Sequence, residues 1–214
     1  WYAGETISLG IGQGYNAFTT LQLAYATATL VSGGQRFRPR LVREITDAVT
    51  DEKRRVANDA LEPLPYKPEH IELLLRALHG VTQEGTSVRS FANAPYKSGG
   101  KTGTAQAVSI GQKDRYDARK LEEHQRDHSL YIAFAPVDQP RVALAVVVEN
   151  AGFGATSAAP IARRVFDYLL LDQYPNPQDM DAVQKGQAGR PIGTPLKASE
   201  MPWPSDAAAT PAVK

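Results

Sequence analysis

A lysine, a glycine and two threonines alternate along one short segment, Lys101-Thr-Gly-Thr104. In a β-strand, Lys101 and Gly103 would share one face, and Thr102 and Thr104 the other. In a cleft, a lysine ammonium can set the field around a nucleophile, and two hydroxyls can bind the anionic end of a substrate. Gly103 leaves room for a substrate backbone, and an edge-strand N–H can supply half of an oxyanion hole. The segment alone predicts either such a site or a glycine-rich edge strand without a role.

Two other patterns carry less specific chemistry. Gly10-Ile-Gly-Gln-Gly14 has its third glycine one position too early for a dinucleotide-binding fingerprint, so we interpret it as a tight turn. The basic pair Arg163-Arg164 and the run from Lys53 to Arg55 are short and isolated, which predicts solvated surface rather than nucleic-acid binding.

A histidine pair is the only pattern that suggests a metal. His124 and His128 are four residues apart and could share a helical face, with Glu123 or Asp127 as a third zinc ligand. The surrounding segment is densely and evenly charged, however, and the zincin spacing is not matched. We therefore predict a solvated loop or short helix over 112–128 and no metal or other cofactor.

Composition excludes several classes of function. The 24 basic and 23 acidic residues leave a net charge of +1, which gives no general attraction to nucleic acid or anionic lipid. The sequence has no cysteine, so disulfides, thiol nucleophiles and iron–sulfur clusters are excluded. No apolar run approaches the ~18 residues of a membrane span. The chain begins at Trp1 without a signal region, which predicts either a soluble segment or a piece whose upstream part is missing.

Hydrophobic periodicity predicts two helices in the first half of the chain. Thr19 and Gln22 have the capping-box spacing ahead of a helix over 20–31, with an inward face of Leu23, Ala26 and Leu30. A second helix is predicted over 68–81, with a proline in its first turn. The polar stretch 47–65 predicts an exposed hairpin or loop, and 7–14 predicts a strand or turn.

The second half predicts strands followed by a helix. Strands are expected over 97–108, 130–135 and 141–149, the last two forming a hairpin. Leu130, Ile132 and Phe134 would match a stripe on the other strand, and alanines opposite predict a helix at close range. The matching stripe is Val142, Leu144, Val146 and Val148. A helix over 157–171 is predicted to point inward with Ile161, Val165, Tyr168 and Leu169.

Four longer strings resemble the C-terminal part of class B penicillin-binding proteins, and the likeness is strongest to the elongation enzymes of Gram-negative bacteria. The strings are Glu5–Gly14, Gly99–Gln106, Tyr131–Pro136 and Val148–Gly154. Lys-Thr-Gly is the third motif of this superfamily. The resemblance covers a transpeptidase portion over 1–172, and the proline- and alanine-rich composition beyond it predicts a disordered tail over 173–214.

The resemblance implies an α+β transpeptidase fold, an antiparallel sheet flanked by helices, whose N-terminal strands and nucleophile helix lie upstream. It implies a serine D,D-transpeptidase that cross-links peptidoglycan and is trapped by β-lactams. Lys101, Thr102, Gly103 and Thr104 would be site residues, with Thr102 and Thr104 binding the substrate carboxylate and the Thr104 amide donating to the oxyanion. A D-Ala-D-Ala stem peptide, a glycan-polymerising partner and the periplasmic face of the inner membrane are implied as well.

The sequence departs from the family in its other two motifs. S-x-N is absent, and S-x-x-K occurs only as Ser98-Gly-Gly-Lys101, whose lysine already belongs to Lys-Thr-Gly. On a strand, an odd offset places Ser98 and Lys101 on opposite faces, so Ser98 is not expected to be the nucleophile. We therefore expect this chain alone to be inactive and to expose apolar surface. A non-catalytic peptide- or wall-binding module and a serine β-lactamase or sensor remain alternatives.

Overall fold

The computed structural model describes residues 2–107, 117 and 120–201, and these form an α+β structure. The helices are α1 (Ala3–Gly10), α2 (Thr20–Val31), α3 (Pro68–Gln83), α4 (Val88–Phe91), α5 (Ala158–Leu171) and α6 (Pro177–Gln184). The strands are β1 (Arg36–Phe37), β2 (Glu44–Thr46), β3 (Lys53–Arg55), β4 (Ala60–Leu61), β5 (Gly99–Ala105), β6 (His128–Ala135), β7 (Val142–Val148), β8 (Gln173–Tyr174) and β9 (Leu196–Lys197). Within the described part, no helix is both long and apolar enough to span a bilayer.

An antiparallel sheet in the order β5-β6-β7 organises the molecule. Two-stranded ribbons, β1-β4, β2-β3 and β8-β9, lie outside it. The β2-β3 ribbon is exposed, as the polar stretch predicts. The three predicted strands are confirmed in type and order, with Val108 outside the described residues.

The register of β6 against β7 corrects the predicted stripe matching. Ile132 lies opposite Ala145, and Ala133 lies opposite Leu144. Residues that lie opposite one another project to the same face of the sheet, so the two stripes of large side chains are on different faces. Leu130, Ile132 and Phe134 therefore each meet an alanine or a valine across the strand pair.

Helices cover both faces of the hairpin, whereas the alanines predicted a helix on one face only. The alanines of α5 pack on Ala133 and Ala135, while Phe166 contacts Phe91 in the same core. The second helix, α2, packs against β6 and β7 from the opposite face and lines a groove with Ala143. Small residues on both sides permit this close approach of helix and sheet.

The N-terminal helices are partly as predicted. The capping box at Thr19 and Gln22 is present, and α3 runs two residues beyond its predicted end. The predicted inward face of α2 is wrong, because Ala26 is exposed and the buried residues are Thr27 and Thr29. Each of these hydroxyls donates to the carbonyl four residues earlier, which satisfies a buried polar group within the helix.

The strand alternative for 7–14 is wrong, whereas the turn alternative is confirmed for the glycines after residue 10. Residues Ala3–Gly10 form a helix, and the glycines at 12 and 14 adopt positive φ and turn the chain after it. None of the residues of α1 is buried, so neither strand alternation nor a helical stripe was available to indicate its structure.

The predicted inward face of α5 is also wrong. Val165, Tyr168 and Leu169 are exposed, whereas Arg163 and Arg164 are buried. Arg163 donates through Nε to both carboxylate oxygens of Asp167 at 2.9 Å. The sequence predicts a solvated surface for the arginine pair, because sequence periodicity does not show that each arginine has a buried acidic partner.

The tail prediction is wrong for residues 173–201. Arg164 forms a two-pronged ion pair with Asp179 of α6, with its Nε 3.0 Å from Oδ2. Asp179 also caps the backbone N–H of Ile192 at 3.1 Å. These contacts hold α6 against α5, and β8 pairs with β9 nearby. Residues 202–214 lie outside the described residues.

Candidate functional site

The predicted site residues all lie on β5. Lys101 and Gly103 are opposite Ile132 and Leu130, while Thr102 and Thr104 are opposite Tyr131 and Ser129. The two threonines therefore share the face of the sheet that α5 covers, and the lysine lies on the other face. This alternation follows from the strand period of two.

One edge of β5 has no strand partner among the described residues. The Thr102 carbonyl accepts from Lys101 Nζ at 2.9 Å, and the Thr104 carbonyl accepts from Gln13 Nε2 at 3.3 Å. Both carbonyls therefore point away from β6. In an antiparallel ladder the N–H and C=O of one residue point the same way, so the Thr104 amide also opens toward this free edge.

A third threonine, Thr86, completes the polar group and was not found from the sequence. Thr86 Oγ1 lies 3.1 Å from Thr102 Oγ1. Thr86 follows α3, which is anchored to the start of β5 because Thr82 Oγ1 donates to the Ser98 carbonyl at 2.7 Å. No local pattern marks Thr86, since its position depends on how α3 packs against β5.

The loop before α5 crosses the sheet beside the two threonines. Gly154 lies over Gly103 and Leu130 so closely that a Cβ would overlap the Leu130 carbonyl oxygen and come 2.8 Å from the Gly103 oxygen. Ser129 Oγ donates to the Phe153 carbonyl at 3.1 Å and fixes the loop, while the Phe153 side chain is exposed. This contact between backbones sets one wall beside Thr102 and Thr104.

Lys101 gives the free edge a positive charge. Among the described residues no carboxylate forms an ion pair with its exposed ammonium. Tyr131, opposite Thr102, is buried, and burial raises its pKa to about 12, so its hydroxyl stays neutral. An anionic group at this edge would meet hydroxyls, a free amide and one cation.

The histidine pair does not gather into a metal site. His128 Nδ1 accepts a hydrogen bond from the backbone N–H of Asn150 at 3.0 Å. His124 Nδ1 lies 3.4 Å from a carboxylate oxygen of Glu122. Over residues 2–107, 117 and 120–201, no three potential ligands converge on a common point. The charged segment predicted as a loop or short helix over 112–128 lies largely outside the described residues, and Glu123–Gln125 forms a short 3₁₀ turn.

Ser98 does not resemble an activated nucleophile. It lies one residue before β5, and its side chain is buried while Lys101 is exposed. Its carbonyl is occupied by Thr82 and by His79 Nδ1 at 2.8 Å. The contact of His79 is thus with the backbone carbonyl of Ser98 and not with its hydroxyl.

Known proteins resemble this chain over most of its length. The penicillin-binding protein transpeptidase domain family matches residues 1–167. The peptidoglycan D,D-transpeptidase MrdA of Haemophilus influenzae is 38% identical over 183 residues, which cover 82% of this chain and 27% of that protein. The chain thus spans about a quarter of the length of this curated relative.

Two solved structures are similar to this chain in fold. Penicillin-binding protein 2 of Pseudomonas aeruginosa, in complex with WCK 5153, matches with a TM-score of 0.64 and 35% identity over 80% of this chain and 35% of that one. Penicillin-binding protein A of Mycobacterium tuberculosis, an imipenem acyl-enzyme complex, matches with a TM-score of 0.59 and 29% identity over 76% of this chain and 33% of that one.

Proposed function

Because the chain belongs to the penicillin-binding protein transpeptidase family, we propose that it is the substrate-binding part of a peptidoglycan D,D-transpeptidase. Its α+β architecture is part of that family's fold, and the likeness to penicillin-binding protein 2 and MrdA confirms the family predicted from the four strings. The proposed site is the free edge of β5.

The observation that carries the proposal is the chemistry of that edge. Thr102 and Thr104 offer two hydroxyls on one face, and the Thr104 amide opens toward the edge. The ammonium of Lys101 has no carboxylate partner among the described residues. These groups suit a peptide that ends in a carboxylate and has a reacting carbonyl one residue earlier, because the carboxylate meets hydroxyls and the carbonyl oxygen meets the amide.

In the proposed reaction, a serine outside this chain attacks the carbonyl of the penultimate D-alanine of a stem peptide. The tetrahedral oxyanion accepts from the Thr104 amide. The bond to the terminal D-alanine breaks, its nitrogen takes a proton, and the acyl-enzyme is resolved by the amine of a neighbouring stem. Lys101 stabilises negative charge, Gly103 permits close approach of the peptide, and the threonines hold the terminal carboxylate.

The same edge would bind β-lactams, whose carboxylate and strained amide imitate the end of the stem peptide. Support comes from the acyl-enzyme complex of the mycobacterial relative, which shares the matched region. We extend the proposal to a glycan-polymerising partner and to the periplasmic face of the inner membrane, as the family resemblance implies. No residue described here is assigned to that partner or to a membrane anchor.

A graft would test the proposal. The chain would replace the matching region of the Haemophilus relative, so that the host supplies the serine, and labelling by a fluorescent penicillin would be followed. We expect covalent labelling that persists, and we expect Thr102→Val with Thr104→Val to slow acylation about tenfold to a hundredfold, since hydroxyl contacts to the carboxylate are lost.

The control is Thr50→Val, which alters an exposed threonine of the β2-β3 turn and should leave labelling unchanged. A folded graft that is never labelled would favour the non-catalytic binding module. Labelling that decays within seconds would favour a β-lactamase, because deacylation would then be fast.

A further inference from the structure

A cleft of about 570 Å³ opens between the end of β7, α5 and α6, on residues that the β5 site does not use. Val148, Ile161 and Val183 form its apolar wall. Arg126 and Asn150 are its polar residues on the side of the sheet. We call this feature the α6 cleft; it exists only because residues 177–184 are folded against α5.

Arg126 brings an unused donor to the α6 cleft. Its Nε is shielded from solvent and has no hydrogen-bond acceptor among the residues that the structure describes. No carboxylate of the described residues forms an ion pair with its guanidinium. A shielded charged donor without an acceptor is costly, so an anionic group that reaches Nε would recover that cost.

Asn150 brings an unused acceptor to the same cleft. Its Oδ1 is shielded and has no donor. The backbone of Asn150 is held by its amide, which donates to His128 Nδ1 at 3.0 Å, and Gly152 donates to the Asp127 carbonyl at 2.8 Å. The acceptor is therefore carried by a loop with a fixed backbone, and a ligand N–H could satisfy it once the Asn150 side chain turns toward the cleft.

We propose that the α6 cleft binds the carboxyl-terminal residue of a peptide that ends in a small apolar amino acid. The terminal carboxylate accepts from Arg126, which can present Nε and a terminal nitrogen in one plane. The N–H of the same residue donates to Asn150 Oδ1. A methyl-sized side chain packs on Val148, Ile161 and Val183.

This chemistry requires an N–H donor and a carboxylate on the same residue of the ligand. A simple anion would satisfy Arg126 alone, and a primary amide would satisfy Asn150 alone. An acylated alanine satisfies both, and it could come from a cell-wall peptide of D configuration or from a protein terminus of L configuration. The proposal does not depend on the β5 site, because none of the cleft residues named above belongs to that site.

The test uses the ¹⁵N-labelled 214-residue chain and follows the Arg126 Nε–H resonance together with the amides of Asn150, Gly152 and Val183. The probes are N-acetyl-D-alanine, N-acetyl-L-alanine, N-acetyl-alanine amide and acetate at constant ionic strength. Ligands this small are expected to have dissociation constants of about 1 mM, so titration to about 20 mM reaches saturation.

We expect a saturable shift of all four resonances with an N-acetyl-alanine, and at least about tenfold weaker binding of the amide and of acetate. Preference for the D or the L form identifies the source of the natural ligand. Arg126→Gln and Asn150→Asp should each weaken binding about tenfold or more, the second because it places a carboxylate beside the carboxylate of the probe.

The matched control is Arg76→Gln, since Arg76 is an exposed arginine that pairs with Glu72 on α3. It should bind the probes as the unchanged chain does. Equal affinity for acetate and N-acetyl-alanine would overturn the proposal in favour of simple anion attraction, and an absence of saturable shifts would overturn it outright. The comparison of acid and amide probes on the unchanged chain decides the matter even where a variant fails to fold.

Discussion

At the scale of single residues, Thr86 shows how a site depends on distant sequence. Its hydroxyl lies 3.1 Å from that of Thr102, sixteen positions away. Each hydroxyl has one proton, so if Thr102 donates to a carboxylate it must accept from Thr86. Such a pair of linked hydrogen bonds polarises the Thr102 hydroxyl toward the ligand. The alternation in Lys101–Thr104 indicates which side chains share a face, but not which neighbour directs their protons.

Gly154 gives the first residue-scale prediction. Gly154→Ala would drive a Cβ into the carbonyl oxygen of Leu130 and against Gly103, so we expect a loss of about 1–3 kcal/mol in the free energy of unfolding. Chemical denaturation measures it. The control is Gly4→Ala in α1, where nothing lies within 4 Å of the added Cβ and no loss is expected. Equal stability of the two variants would contradict the close approach of the loop to β5.

Tyr131 gives a prediction about pH. Burial raises its pKa to about 12, from an ordinary value near 10. The unfolded chain ionises first as pH rises, so the stabilisation is complete below about pH 10 and is lost between about pH 10 and 12. A shift of about two units corresponds to roughly 2–3 kcal/mol.

The measurement is the free energy of unfolding of the unchanged chain and of Tyr131→Phe, compared from pH 8 to 12. The variant keeps the ring and lacks the ionisable group, so the difference between the two curves isolates Tyr131 from Tyr96, whose pKa is also raised by burial and by Asp167. Parallel curves over the whole range would show that Tyr131 is accessible to hydroxide in the folded state.

At the scale of elements, α5 and α6 depend on buried charge. Arg164 reaches across to Asp179, and Arg163 is held by Asp167, which also accepts from the Tyr96 hydroxyl at 2.7 Å. The apolar periodicity of α5 indicated a helix but placed the wrong face inward, because two arginines occupy interior positions. A buried ion pair of this kind fixes where one element sits on another, and loss of one partner leaves an uncompensated charge.

Asp179→Asn tests this contact. We expect a loss of about 3–5 kcal/mol and fast hydrogen exchange confined to α6 and the segment after it, since Arg164 stays buried without its acid. The control is Asp181→Asn, which removes the exposed pair with Lys185 and should cost less than about 1 kcal/mol. Should the two variants behave alike, α6 would not be held by the buried pair.

At the scale of the whole molecule, the N-terminal region presents apolar side chains to solvent. The exposed residues are Tyr2, Ile7, Ile11, Tyr15, Phe18 and Leu21. The expectation that the chain exposes apolar surface is therefore confirmed for the described residues. Because little apolar area is buried in α1, this region adds little to the free energy of folding.

We predict that the isolated chain binds a hydrophobic dye in its native state and unfolds with a broad transition. Dye fluorescence and differential scanning calorimetry would measure this, and Ile7→Ser with Ile11→Ser should reduce dye binding without lowering the melting temperature. A sharp, cooperative transition in a chain that binds no dye would contradict the prediction.

The sequence by itself determined several local elements and the family. The capping box at Thr19, the helix at Pro68 and the strand alternation around Lys101 follow from interactions within a few residues, which a pattern can record. Four short strings were enough to indicate the transpeptidase family, because backbone turns and close packing demand particular small residues there.

Only the tertiary structure decided which residues from distant segments lie opposite one another. The stripes of β6 and β7, the partner of Thr102, the approach of Gly154 and the burial of Arg163 and Arg164 depend on contacts between segments far apart in sequence. The sequence predicts disorder for residues 173–201 because they contain few apolar side chains. It does not show that Asp179 is buried against Arg164, the contact that orders this segment. Burial and pairing are properties of the assembled fold, and no window of the sequence contains both partners.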